Sequence, residues 1–281
     1  MSDKPSLQIL CSYAYLQTKP PMLQHLWRFD REYPGKLDLL VDSGAFTAWN
    51  KGFELTLGGY CKFLTTLPVK PWRYIALDVI ENPERTRENL KRMRDAGFDP
   101  IPVFTPGESF DHIEELYDGT DLIACGGVAG KYSSYGQSYL GRVMRQVGAR
   151  KIHLLGVTHT DIIKRFRPYS SDSSSWEVAR RFGRVNFYAG YGRMNIMDRE
   201  DFLKAPSDAI FAQAGRAGLD LSGLTREKCW RGRKSLTSQL TAASWVSMQR
   251  DTRKNIGTQI FLAAVDPHAV NLLIEAWKAV P

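Results

Sequence analysis

Short apolar runs alternate along this chain with stretches whose apolar residues recur at helical spacing. Residues 9–15, 37–42 and 74–79 read as the first three strands, and the second and third each carry an aspartate at the end, Asp42 and Asp78. Asn82-Pro83 then gives a helix cap followed by proline in the first turn; Leu90 and Met93 share a face, and Gly97 ends the helix. Residues 101–104 predict a fourth strand that breaks at Thr105-Pro106-Gly107, and Ser109 caps a helix with Phe110, Ile113, Leu116 and Tyr117 on one side. A fifth strand from Asp121 runs into the glycine-rich turn Gly126-Gly127-Val128-Ala129-Gly130, where missing side chains let a ligand approach the backbone or a helix pack closely. The next helix turns Tyr139, Leu140, Val143, Met144 and Val147 inward, and Gly148 stops it. Residues 151–157 form the sixth strand, followed by a short helix with Ile162, Ile163 and Phe166.

The pattern is less regular beyond that point. Residues 167–176 are a compact polar seventh strand or loop, Trp176 begins a helix that Gly183 ends, and residues 184–188 read as the eighth strand. The remainder is mostly helical: Leu236, Leu240 and Ala243 mark one segment. The last helix opens at Asp266-Pro267 with Val270, Leu273, Ile274 and Trp277 spaced i, i+3, i+4 and i+7. Eight strand–helix alternations predict an α/β fold, a (β/α)₈ barrel of TIM type. The expected organisation is a single domain over 1–281, with the barrel at about 7–200 and extra helices at about 200–281. A doubly wound open sheet is the alternative, but its glycines follow the first strand, whereas here they follow strands two and five.

Composition is globular, with 43% hydrophobic and 24% charged residues in 281, and no apolar run approaches the roughly 18 residues of a membrane span. A soluble protein is expected, and the absence of a signal-type N-terminus leads us to expect a cytoplasmic one. Cys11, Cys61, Cys125 and Cys229 are scattered, which suggests neither a zinc site nor a disulfide framework, and no cofactor is called for. Lysine plus arginine outnumber aspartate plus glutamate by 38 to 30. The basic residues concentrate after position 140, and Trp230 lies among Arg226, Lys228, Arg231 and Arg233, an aromatic–basic mixture that suits a nucleic-acid strand or, more plainly, a solvated helix face. Trp49 is a further stacking candidate, whereas Trp176, at helical spacing with Ala179 and Phe182, reads as core.

A barrel would bring Asp42, Asp78, the Gly126–Ala129 backbone and Asp172 to the rim formed by its strand ends. Three carboxylates there suit glycosyl chemistry, in which one attacks the anomeric carbon and another handles the proton of the leaving or entering group. Magnesium is the competing use of oxygen ligands, but no second Asp or Glu lies beside any of the three to complete a cage.

These residues also resemble a known family. Val41-Asp-Ser-Gly-Ala-Phe46 is similar to the Asp-Ser-Gly-Gly-Phe/Tyr motif of tRNA-guanine transglycosylases, Gly126-Gly-Val-Ala129 to their Gly-Gly-Leu-Ala, and Leu155-Gly-Val-Thr158 to their Met-Gly-Val-Gly. Tyr169-Ser-Ser-Asp172 falls where the family has its nucleophile, and the resemblance covers residues 9 to 190 or so. It implies that Asp172 forms a covalent glycosyl intermediate and that Asp42 is the general acid/base. Phe46 would stack on the base, Asp78 would bond its Watson–Crick edge, and Ser43, Gly127 and Val128 would complete the base pocket. The family's three-cysteine-plus-histidine zinc site is absent, since Cys229 and His268 lack the partners, and its base-contacting glutamine has no counterpart at Thr105-Pro106-Gly107. Those departures resemble the shorter DpdA relatives of phage and bacterial modification clusters, and imply exchange of guanine in DNA for a 7-deazaguanine, chiefly 7-cyano-7-deazaguanine. A tRNA-acting transglycosylase and a non-catalytic nucleic-acid-binding module are the alternatives.

Overall fold

The structure is a computed structural model and describes residues 4–128, 134–204, 208–230 and 235–281. Among the described residues ten strands follow one another: β1 (Leu7–Ser12), β2 (Leu37–Asp42), β3 (Arg73–Tyr74), β4 (Val103–Phe104), β5 (Leu122–Cys125), β6 (Lys151–Leu154), β7 (Ser170–Ser173), β8 (Val185–Tyr188), β9 (Met194–Met197) and β10 (Gln259–Ala263). Eight of them form one parallel sheet in the order β3-β2-β1-β10-β7-β6-β5-β4. The sheet is curled, and just after β3 and before β4 the residues Ile75 and Ile101 form an isolated parallel bridge, in which Ala76 N–H donates to Ile101 O at 2.9 Å and Ile101 N–H to Tyr74 O at 2.8 Å. The result is a TIM-like α/β architecture.

Strand residues alternate between the two faces, and here each face has its own core. Leu10, Leu40, Ile75, Val103, Ala124 and Phe261 pack together on the concave side. Their neighbours Ile9, Leu39, Ile123, Ile152, Leu154 and Leu262 join the larger core formed with the surrounding helices. By the same alternation, Ser12, Asp42, His153, Ser170 and Asp172 belong to the concave face. The opposite, N-terminal end of the sheet is closed by charge instead: Arg73 bridges Asp99 and Asp121, and Lys151 pairs with Asp121.

Helix signals in the sequence hold where caps are explicit. Asn82 Oδ1 accepts from Arg85 N–H at the start of Pro83–Asp95, and Asp266 Oδ1 accepts from Ala269 N–H at the start of Pro267–Ala279. The helix Pro20–Glu32, which buries Met22, Leu26 and Phe29, was not anticipated. Ser109 does not cap its helix; that helix is a short His112–Leu116 segment after Asp111.

The eighth strand requires a correction. Residues 184–188 contribute β8, which pairs antiparallel with β9 in a separate hairpin, while the sheet's remaining place is filled by β10, between β1 and β7. The physical reason is packing. Val185 and Phe187 belong to a small separate core with Phe202, Ile210, Leu224 and Trp230, and the run Ile260–Ala263 pairs at both edges with β1 and β7 while Ile260 and Leu262 fill one core and Phe261 and Ala263 the other. The helix Leu236–Asn255 joins the two cores, with Leu240 packed in one and Val246 in the other.

Buried Gln249 fixes the join. Its amide N–H groups donate to Gln8 O (2.8 Å) and Ile260 O (2.7 Å), and its carbonyl accepts from Gln8 N–H (3.3 Å). Replacing it by leucine strands these strand groups without water. We expect Gln249→Leu to lower the unfolding free energy by about 2 kcal/mol in urea titrations, and an unchanged midpoint and slope would contradict this account of the seam.

Candidate active site

β2 stops at Asp42 because the chain there turns through Ser43 and Gly44. Gly44 adopts φ +83°, and a Cβ on it would lie 2.5 Å from that of Ala14, so only glycine fits the turn. Gly44 N–H donates to Asp42 Oδ2 at 3.0 Å, and the helix Ala45–Lys51 leaves from this point. Ser43 is fully buried; its hydroxyl donates to Asp78 Oδ1 at 2.8 Å and accepts from Ala45 N–H at 3.2 Å. The turn after β2 therefore holds two carboxylates, one through backbone and one through side chain.

Asp172 reaches the same region from β7. Its Oδ1 accepts from Gly156 N–H at 3.0 Å and lies 3.1 Å from His153 Nε2. The charges of Asp78 and Asp172 both act on Asp42, so the three carboxyl groups are near neighbours at the strand ends. Burial, then Asp78 and then Asp172 push Asp42 up from an ordinary 3.8 to about 8, against the opposing bonds from Gly44 and Ser43. Asp78 is also raised by burial, partly offset by the Ser43 hydroxyl. At neutral pH, then, the Asp42 carboxyl keeps its proton in the folded protein.

Gly127 and Val128 lie just past the end of β5. Gly127 has φ +72°, and a Cβ on it would come within 2.0 Å of Pro106 Cγ, so its exposed backbone lies directly against the turn after β4. That turn is set by Glu108, whose buried carboxylate accepts from Thr105 N–H (2.8 Å), the Thr105 hydroxyl (2.6 Å) and Arg87 Nη1 (3.0 Å). Val128 is buried, and Ala129 lies outside the described residues.

Phe46, in the helix that follows Asp42, is 65% exposed, with its ring centroid 6.1 Å from that of Trp49, itself 54% exposed. Two large aromatic rings left in water beside a carboxylate pocket offer a stacking surface. The other proposed nucleic-acid residues do not join them. Trp230 is only 3% exposed, donates its Nε1–H to Leu224 O at 2.7 Å and packs edge-on against Phe202. Its ring is thus core, which corrects the stacking role expected for it. Arg226 is exposed near Asp220, whereas Arg231 and Arg233 lie outside the described residues, as does the Lys228 side chain. Trp176, fully buried with its Nε1–H on Ala263 O, is core as expected.

Sequence reasoning passed over His153, Glu108 and Ser12. Ser12 pairs in register with Asp42, and its buried hydroxyl has no hydrogen-bond partner among the described residues. The signal for His153 was a histidine at an inward position of the apolar run Ile152–Leu155, one strand from Asp172. A basic cleft of about 1090 Å³ lies instead at the N-terminal end of the sheet, lined in part by Lys4, Lys36, Arg250 and Arg253. Arg250 there donates to Trp277 O and Val280 O, which gives it a helix-capping role. No described helix is long and apolar enough to cross a membrane. Neither the models of known protein families nor the curated proteins match this chain.

The raised affinity of Asp42 for its proton has a sign. Between pH about 4 and about 8 the unfolded chain releases a proton that the folded protein keeps, so the contribution of Asp42 to stability falls across that window as pH rises. Asparagine copies the neutral form. At about 1.4 kcal/mol for each tenfold change in proton affinity, Asp42→Asn gains on wild type by several kcal/mol between pH 5 and pH 9 in urea titrations. A difference that does not vary with pH would remove the charge-burial explanation.

Proposed function

We propose that this protein is a transglycosylase that exchanges guanine in DNA for a 7-deazaguanine, with 7-cyano-7-deazaguanine the leading substrate, on a (β/α)₈ barrel closed at Ile75–Ile101. One observation carries the reading. Two neighbouring carboxyl groups have different surroundings: burial and its acidic neighbours push Asp42 up to about 8, whereas Asp172 is contacted by Gly156 N–H and His153 through one oxygen only. A carboxyl that holds its proton suits the role of acid, and a carboxylate fixed through one oxygen suits that of nucleophile.

In the proposed reaction the target nucleotide is extruded from the duplex, as an enzyme acting on a base requires. An Asp172 oxygen attacks C1′ of the deoxyribose while the C1′–N9 bond breaks, and the Asp42 proton passes to the departing guanine. The product is a glycosyl ester on Asp172 and a free base. The incoming deazaguanine then loses its N9 proton to the Asp42 carboxylate, and its N9 attacks C1′, displacing Asp172 with retained configuration. Neither an external oxidant nor ATP enters the balance.

Phe46 covers the face of the base, with Trp49 beside it. Asp78, whose Oδ1 already accepts from Ser43, offers its other oxygen to the base N–H groups, and Gly127 and Val128 supply backbone groups to the heterocycle edge. The excess of 38 basic over 30 acidic residues favours a polyanion, with Arg226 and its basic neighbours along the strand.

The test is an exchange assay with labelled guanine on DNA and tRNA side by side, with denaturing gels for a covalent adduct. Label is expected in DNA. Asp172→Ala loses about 10⁴-fold or more and forms no adduct. Asp42→Asn slows exchange by about 10²- to 10⁴-fold, and wild-type kcat/KM falls as pH rises through about 8, where Asp42 gives up its proton. Label entering tRNA alone would move the substrate to tRNA. Exchange that survives Asp172→Ala sinks the mechanism, and wild type that binds nucleic acid but never exchanges or forms an adduct is a binding module.

A further inference from the structure

The inward positions His153, Ser170 and Asp172 of β6 and β7 are polar, whereas Leu10, Leu40 and Phe261 make the middle of β1, β2 and β10 apolar on that face. His153 and Ser170 lie directly opposite each other in the ladder, and Asp172 follows two residues later on the same face. His153 is fully buried; its Nδ1 is 2.9 Å from Ser170 Oγ and its Nε2 is 3.1 Å from Asp172 Oδ1. Phe261, which pairs with Asp172 in the ladder of β10 and β7, closes the ring's flank, edge-on at 6.1 Å. The imidazole is therefore held at both nitrogens and against an aromatic edge.

The donors resolve the tautomer. As the proposed nucleophile Asp172 is a carboxylate that only accepts, so with a neutral imidazole Nε2 carries the hydrogen and the Ser170 hydroxyl donates to Nδ1. Asp172 Oδ1 thus accepts twice, from His153 Nε2–H and from Gly156 N–H, while no described group bonds Oδ2. The two oxygens of the nucleophile are inequivalent before any substrate arrives.

We propose that His153, set by Ser170, is the positioning residue that ties down Asp172 Oδ1 and leaves Oδ2 as the oxygen that bonds C1′. The inference rests on the transglycosylase reading and adds a part to it that the motifs do not contain. As Oδ2 forms its bond to C1′, the N9 electron pair leaves with the base and takes the Asp42 proton, and the negative charge of Asp172 is consumed. His153 keeps its hydrogen throughout. It orients the carboxylate and takes no proton.

The experiment measures the single-turnover rate of adduct formation, the KM for the incoming base, and thermal unfolding, for His153→Leu, His153→Gln and Ser170→Ala. His153→Leu removes the donor and is expected to slow adduct formation on the order of 10- to 100-fold with KM for the base unchanged. Glutamine can offer an amide N–H near the Nε2 position and is expected to restore most of that rate. Ser170→Ala, which frees the tautomer, falls between them. If the leucine variant does not fold, the glutamine and alanine variants decide the matter on the same rates. Full adduct formation by folded His153→Leu, or equal losses in leucine and glutamine variants of matched stability, would overturn the role of His153 while leaving Asp172 as nucleophile. Absence of any adduct in wild type would overturn the transglycosylase reading and the positioning role together.

Discussion

Three carboxylates facing one partly buried pocket cannot all carry charge without donors to hold them, and the region around the site is arranged to supply those donors. Gly44 N–H serves Asp42, the Ser43 hydroxyl serves Asp78, and Gly156 N–H with His153 serves Asp172. The supply is unequal. Asp42, with a backbone bond and two acidic neighbours, relieves the repulsion by keeping its proton to about pH 8. Desolvation and like charge thus raise the proton affinity of Asp42 well above that of an ordinary carboxyl.

That arrangement depends on the two-faced character of the strands. Apolar residues fill the middle of the concave face, Leu10, Leu40, Ile75 and Phe261 among them, and they exclude water beneath the carboxylates. The polar residues cluster at the strand ends or on β6 and β7, where neighbouring strands supply partners at ladder distance. The turns are equally constrained. Gly44 against Ala14 and Gly127 against Pro106 bring backbone closer to the pocket than any side chain would allow, and Glu108 holds the second of these approaches in place. The small core of Val185, Phe187, Phe202 and Trp230 lies apart from this region, tied to the sheet by the helix Leu236–Asn255.

Much of this is written locally in the chain. β2 and its Asp42 terminus, the cap at Asn82, the cap at Asp266 and the glycine turn after β5 each follow from a few adjacent residues, since strand ends, caps and positive-φ turns are short-range events. The motif at 41–46 likewise points to a site without any knowledge of the fold. What the sequence left ambiguous were segments of similar local character with different fates. Residues 184–188 and 259–263 are both short apolar runs, and only the neighbours available in three dimensions make the second the eighth strand of the sheet and the first half of a hairpin.

The same distinction separates the candidate site residues. The sequence by itself determined the identities of the carboxylates, the glycine positions and the aromatic at Phe46, because each sits in a recognisable turn or strand end. Only the tertiary structure decided that Trp230 faces the protein interior, that His153 meets Asp172, and that burial and acidic neighbours raise the proton affinity of Asp42. Burial and electrostatic coupling are sums over groups brought together from distant parts of the chain. Asp42 and Asp172 are 130 residues apart in sequence, and no local pattern around either one records the other's field.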